Sequence, residues 1–222
     1  LTVLISNFDY EIIVVDDDSP DGTSEEVNKY MTFNRKIKLI TRIGRSGLSS
    51  AIKEGLIFAQ GKYLLVLDGD GQHHPSFVLE MIEEIKKNKS DIVIGSRFLK
   101  TSKLEGLSNK RSLGSKIANK LARISLSINY SKLTDYLSGC FCLEREKTKK
   151  LIRKIEINGF KFLYELLSLS KGDLVVNEIP LTFKERRFGN SKLDIAIVWD
   201  FIVSIIHNLT LRLLPRRAIS FG

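Results

Sequence analysis

With 222 residues and 43% hydrophobic content, the chain can bury one substantial core, so a single α/β domain is the default. Repeats, low-complexity tracts and a signal peptide have no footing in the sequence. The net charge of +9 is uneven: residues 101–160 hold 13 Lys and Arg against 5 Asp and Glu, contributing +8. That excess suggests an anionic partner (nucleic acid, an anionic membrane surface or a phosphorylated substrate), against the plainer reading of a solvated lysine-rich helix face.

The first strand expected is Glu11–Val15, a β-branched run that empties into Asp16, Asp17 and Asp18, then Ser19-Pro20-Asp21-Gly22. A helix from Thr23 to Tyr30 follows, with Thr23 or Ser24 as its N-cap. Next come a strand at Ile37–Thr41, a helix at Leu48–Ala59, a strand at Tyr63–Leu67 and a helix at Pro75–Lys87 with proline in its first turn. A strand at Asp91–Gly95 completes a βαβα alternation, which implies right-handed crossovers and a mostly parallel sheet. Beyond it the pattern changes to a basic helical stretch at about Ser108–Ile128, a strand around Leu137–Leu143, two short helices and a strand at Leu174–Ile179. Cys140 and Cys142 are expected on opposite faces of a strand, as small buried hydrophobes without a disulfide. The tail from Leu193 to Leu214 is apolar but broken by Asp194, Asp200, His207, Asn208 and Arg212. Charges near its middle speak against a bilayer span and for an interfacial helix ending in Arg212, Arg216 and Arg217; a helix packed on the core or in a dimer seam is the competing reading.

The chemistry is written at two strand ends. Tyr63–Leu67 drives into Asp68-Gly69-Asp70-Gly71-Gln72, and ligands of open α/β sheets bind at the carboxyl ends of strands. Clustered carboxylates repel one another unless a cation lies between them, and Mg²⁺ or Mn²⁺ takes oxygen ligands together with substrate phosphates. Asp68, Asp70 and Gln72 therefore read as a metal–diphosphate site, and a second acidic end at Asp16–Asp18 points to a shared crevice. His73 and His74 are read as loop residues, because hard ions prefer oxygen.

Val15-Asp16-Asp17-Asp18-Ser19-Pro20-Asp21-Gly22-Thr23 and Leu67-Asp68-Gly69-Asp70-Gly71-Gln72-His73-His74-Pro75 resemble family 2 glycosyltransferases. Within that family they look like the polyprenyl-phosphate sugar transferases, of dolichyl-phosphate mannose synthase type. Several later segments carry the same resemblance. They are Arg42 with Gly44 and Gly47-Leu48-Ser49, then Gly95-Ser96-Arg97-Phe98, Arg111 with Ser115, and Thr134 to Phe141. The series closes with Glu178-Ile179-Pro180 and Phe183 to Leu193. Tyr136 and Cys140 depart from the family's Asp-Pro-Met-Ser-Gly-Phe-Phe. Family members begin with a further strand ending in a Pro-x-Tyr-Asn-Glu-like motif; nothing here matches it, so that strand is expected outside this chain.

The resemblance implies a GT-A-like α/β fold, with residues 1–192 as the catalytic domain and 193–222 as an apolar and basic C-terminal helix. It implies transfer of a sugar, mannose from GDP-mannose by family precedent, onto dolichyl or another polyprenyl phosphate with inversion. Asp68, Asp70 and Gln72 would hold Mg²⁺ or Mn²⁺, and Asp16, Asp17, Asp68 and Arg42 would bind the donor. Arg97, Arg111, Ser115, Arg186 and Lys192 would meet the acceptor phosphate, with Asp70 and Arg97 central to catalysis. No general base is required, because a phosphate nucleophile is already anionic. The protein would work at the cytoplasmic face of a membrane, held peripherally or anchored through C-terminal segments outside this chain, and no nucleic acid is implied. A glucosyltransferase using UDP-glucose fits the same motifs. From other classes, a haloacid-dehalogenase-like phosphatase and an inactive nucleotide-sugar-binding module are the rivals.

Overall fold

The computed structural model describes residues 2, 5–44, 47–69, 76–100, 102–104, 109–155 and 161–183, with six further helical positions between 202 and 210. At 103–104, 109–113 and 182–183 the description covers the backbone.

Strands β1 (Ile12–Asp16) and β2 (Ile37–Thr41) pair in parallel, Ile12 opposite Ile37 and Asp16 opposite Thr41. Helix α1 (Thr23–Phe33) joins them. Its N-cap is Gly22, held at φ 81°, a left-handed conformation open to glycine at little cost. Asp21 accepts the Thr23 amide at 3.0 Å and the Thr23 hydroxyl at 2.6 Å, so the helix is capped from two residues ahead of the expected position.

The second sheet runs β3-β6-β4-β7, formed by Tyr63–Val66, Phe141–Glu144, Ile92–Ser96 and Val176–Pro180. β6 lies antiparallel to both β3 and β4, whereas β4 and β7 are parallel. Three of the four strands therefore share one direction. Helix α2 (Leu48–Phe58) links the sheets, with Gly55 close enough to β1 that a Cβ there would stand 3.1 Å from Val15 Cγ2. Glu11, just before β1, accepts the amides of Gln60 (2.6 Å) and Gly61 (3.0 Å), just before β3. The starts of β1 and β3 are thus neighbours. Among the described residues a two-stranded parallel pair, β5 (Lys103–Leu104) with β8 (Thr182–Phe183), completes the sheets.

Every residue of β4 is buried, as expected of a strand covered on both faces. Its side chains alternate between two cores. Ile92 and Ile94 join Leu64, Phe141 and Leu143 beneath three helices: α4 (Asn109–Ser125), α5 (Arg145–Lys154) and α6 (Phe162–Ser170). Val93 faces α3 (Phe77–Lys87), whose Phe77, Met81 and Ile85 recur at helical spacing. Gly95 leaves room for the Phe77 ring, which a Cβ would meet at 2.9 Å. Cys140 and Cys142 are both free and both lie in this second cluster. The expectation of opposite faces is corrected here: residues two apart along a strand share a face. Burial pushes the Cys142 thiol up to about 12.

Of the tail, Ile205 is buried in the first core and Leu209 packs against it, while Ile202, Val203 and Ile206 are exposed. One face of this segment is thus a core face, as in the competing reading. Among the described residues no helix is long and apolar enough to cross a membrane.

Candidate active site

Two charged clusters stand at the carboxyl ends of the strands. In the first, Asp16 closes β1 at 5% exposure. Its burial would raise its pKa, but hydrogen bonds from the Ser24 hydroxyl (2.8 Å) and the Ser19 amide (3.2 Å) hold it below the ordinary carboxylate value. Asp17 accepts two guanidinium N–H groups of Arg42, from Nε at 2.7 Å and from Nη2, and its other oxygen accepts the Gly47 amide at 2.9 Å. Arg42 also donates to Ser50 Oγ at 2.8 Å and to the Gly47 carbonyl at 3.2 Å. Its side chain is 1% exposed. The geometry makes Arg42 the clamp that fixes Asp17 and the Gly47 turn, where φ of 124° favours glycine.

The second cluster gathers around Asp68, two residues past β3. Asp68 lies over the Gly139 backbone so closely that a Cβ there would come within 2.7 Å of Oδ2. Arg97, following β4, grips fully buried Asp135 through Nε (2.7 Å) and Nη2 (2.8 Å), while its own amide donates to Asp135 Oδ2 at 3.1 Å. Burial disfavours the Arg97 charge, yet Asp135 and then Asp68 outweigh this and raise its pKa. Lys161, opening α6, feels the same three groups. Burial and the like charge of Arg97 lower its pKa, and Asp68 and Asp135 oppose them.

Glu178 supports this arrangement from β7. It accepts the Thr134 amide (2.8 and 2.9 Å), the Thr134 hydroxyl (3.0 Å) and the Asp135 amide (2.9 Å). Burial raises its pKa against these donors. Ser138 Oγ donates to the Gly95 carbonyl (2.7 Å) and accepts the Cys140 amide (3.1 Å), and Ser96 and Thr134 share a hydroxyl bond of 2.6 Å. Three sequence segments far apart in the chain, 95–97, 134–140 and Glu178, thus form one hydrogen-bonded unit. Tyr136, a departure from the family motif, is 1% exposed and donates to the Tyr130 carbonyl at 2.7 Å; burial pushes its pKa up to about 12.

Of the residues singled out in the sequence, Asp16, Asp17 and Arg42 form the first cluster, and Asp68 and Arg97 belong to the second. Ser115 is half-buried on α4, and its carbonyl accepts Asn119 Nδ2 at 3.0 Å. Asp70, Gln72, His73, His74, Arg186 and Lys192 lie outside the described residues, as does the Arg111 side chain. Lys161 was missed: a lone lysine ahead of an apolar helix carries no motif, and its neighbours appear only after folding.

The family described as Glycosyl transferase family 2 matches residues 3–152. The chain belongs to this family. It is 40% identical over 200 residues to a dolichol-phosphate mannosyltransferase of Pyrococcus furiosus, covering 89% of this chain and 54% of that protein. It is 30% identical over 197 residues to the dolichol-phosphate mannosyltransferase of Saccharomyces cerevisiae, covering 86% and 72%. The chain thus spans about half the length of the first relative. Among solved structures it resembles glucosyl-3-phosphoglycerate synthase from Mycobacterium tuberculosis in complex with phosphoglyceric acid, with TM-score 0.62 and 19% identity over 95% of this chain and 72% of that one. A mannosyltransferase from Pyrobaculum calidifontis in complex with GDP-Man and Mn²⁺ aligns with TM-score 0.55 and 13% identity, over 82% and 49%. These two establish the GT-A-like fold. The phosphatase reading falls with the family membership.

Proposed function

We propose that this chain carries the catalytic site of a polyprenyl-phosphate mannosyltransferase, moving mannose from GDP-mannose to the lipid phosphate with inversion. The observation that carries this reading is the Asp68 carboxylate at a strand end, seated on bare glycine backbone beside the Arg97–Asp135 pair, in a chain 40% identical to a dolichol-phosphate mannosyltransferase. The donor set fits Mg²⁺ or Mn²⁺: Asp68, Asp70 and Gln72 would hold it through oxygen alone, and when bound it would neutralise charge on the leaving diphosphate.

The chain's own residues do the rest. Asp16, held by Ser19 and Ser24, and Asp17, held by Arg42, would accept hydroxyl and amine donors of a nucleoside. Asp135 accepts two of Arg97's N–H groups; the remaining ones would meet an incoming phosphate, together with Arg111, Ser115, Arg186 and Lys192. A phosphate monoester acceptor is anionic at neutral pH, so it attacks without a general base. The site would operate at the cytoplasmic face of a membrane.

The test is incubation of the protein with Mn²⁺, polyprenyl phosphate and labelled GDP-mannose or UDP-glucose, followed by extraction of the lipid phase. Label from GDP-mannose in the lipid supports the reading. Label from UDP-glucose alone replaces the sugar, and label in neither arm overturns the activity.

A further inference from the structure

We infer that the end of the four-stranded sheet opposite Asp68 carries a second anion site, which takes adjacent phosphoryl groups, as in a di- or triphosphate, without a metal ion. It stands apart from the proposed transfer chemistry and does not rest on it. The site follows from the strand order. Because β6 runs antiparallel between β3 and β4, it ends where they begin, with Glu144 opposite Tyr63 and Leu143 opposite Ile92. Three connections therefore meet there: Lys62 ahead of β3, the turn from α3 into β4, and the start of α5. Two backbone bonds tie them together, from the Arg145 amide to the Lys62 carbonyl and from the Glu144 amide to the Asp91 carbonyl, each 2.9 Å.

A cavity of about 330 Å³ opens between these connections, lined by Lys62, Lys86, Lys89 and Lys147 together with Tyr63 and Ser90. The four lysines are exposed, and among the described residues none of them forms an ion pair with a carboxylate. Lys62 and Lys86 lie over the Tyr63 ring, 5.2 and 5.7 Å from its centroid. The ring thus already carries cations, which favours bare phosphoryl groups over a stacked base. Ser90 is 2% exposed; its hydroxyl accepts Asn177 Nδ2 at 2.9 Å, and no described residue accepts its proton. A buried hydroxyl with a proton to give, beside four unpaired cations, is a donor set that an anion completes. Asp91 and Glu144 also line the cavity, and the Asp91 carboxylate is occupied by the Val175 amide at 2.8 Å.

Lysines near a helix C-terminus often answer the helix dipole, and that accounts for Lys86 in the last turn of α3. It does not account for Lys62, which precedes a strand, or for Lys147 in the first turn of α5, where the positive helix end disfavours a cation. Like charges around one hollow repel, and a compact polyanion removes that repulsion. Ammonium groups act as point charges on phosphate oxygens, and the hollow is at the small end of the range for ligand pockets, so a phosphate group suits it better than a protein segment.

The test is isothermal titration calorimetry of the whole protein with inorganic pyrophosphate, ADP and hexaglutamate, in EDTA at low salt. The parent should bind pyrophosphate without metal, more weakly as salt is raised, and ADP no tighter than pyrophosphate. Lys86→Gln with Lys89→Gln should weaken pyrophosphate about tenfold or more, each exposed cation being worth up to about fivefold. Lys116→Gln with Lys120→Gln, the same charge change on α4, should leave the affinity at the parental value. Parental affinity in the first variant, equal loss in both, or no binding to the parent overturns the site. Binding that appears only with Mn²⁺ places the anion at the proposed donor site and overturns it as well. ADP binding tighter than pyrophosphate overturns the choice of bare phosphoryl groups, and tighter hexaglutamate binding assigns the cavity to an acidic protein segment instead.

Discussion

Asp135→Asn is the sharpest probe of the hydrogen-bonded unit beneath the site. Asp135 is fully buried and its carboxylate accepts both Nε and Nη2 of Arg97, whose side chain is 22% exposed. Breaking a buried ion pair by neutralising one partner costs roughly 3–5 kcal/mol. Two features reduce that figure: partial hydration of Arg97, and the remaining amide oxygen of asparagine, which still accepts one guanidinium N–H. About 2–3 kcal/mol is the expected loss. For a domain of this size that corresponds to a fall in Tm of about 5–10 °C. Differential scanning calorimetry reads this directly. A cycle with Arg97→Gln should recover a coupling of about 1–2 kcal/mol, because the same contact is removed twice. Lipid-linked transfer should fall further than stability explains, since the released guanidinium no longer points one way. A Tm within about a degree of the parent, together with additive single variants, would refute the claim that Asp135 holds Arg97.

Gly139→Ala should displace the Asp68 carboxylate, weakening Mn²⁺-dependent nucleotide binding at least tenfold with little change in far-UV circular dichroism; unaltered metal-dependent titration counts against Asp68 as a ligand. Asp70→Ala should lower turnover by on the order of a hundredfold or more and remove the response to added Mn²⁺, measured as initial rate against metal concentration. Arg111→Ala should reduce the specificity constant for polyprenyl phosphate about ten- to a hundredfold, lysine rescuing only in part, with donor titration unmoved. For Asp16, the folded pKa lies below its unfolded value, so its stabilisation is present above the unfolded pKa and lost as pH falls through the folded one. Acid titration of Asp16→Asn, followed by intrinsic fluorescence, should therefore show a shallower loss of stability below the ordinary carboxylate range than the parent; parallel curves would remove Asp16 from the acid response.

What could be read from sequence follows the range of the forces involved. β-Branched runs ending in acids, and helices with apolar residues at helical spacing, are local patterns, so β1 to β4 and α1 to α4 were expected close to where they stand. The antiparallel placement of β6 between β3 and β4 was not legible, because pairing order depends on contacts between segments about fifty to eighty residues apart. The same holds for the site. Asp68 announced itself as a carboxylate after a strand, but the partners of Arg97 did not: Asp135 and Lys161 reach it only through folding. Arg42 was expected as a donor contact, and its buried hold on Asp17 and Ser50 became visible only in the fold. The Cys140 and Cys142 error was of another kind, a misapplied strand period, corrected by the shared cluster.

Charge balance links the two clusters. Asp17 is matched by Arg42, and Asp135 by Arg97, so each strand end consumes its arginine internally. Asp68 and Lys161 then face one another's field with formal charges that cancel. A nucleoside diphosphate bound here, as proposed, would bring further negative charge, and the Asp70 carboxylate would add to it. Arg42 and Arg97 are each paired with a carboxylate, which leaves Arg97 only its remaining N–H groups for a phosphate, so most of the incoming charge would need new positive charge. Oxygen donors at Asp68, Asp70 and Gln72 suit a divalent ion for that task, and the basic segment from Arg186 to Lys192 would supply the remainder. On this reading, metal dependence is the electrostatic consequence of using both arginines to hold aspartates in place. The two arginines give rigidity to the acids, and the charge of the donor diphosphate would be left to a cation that arrives with it.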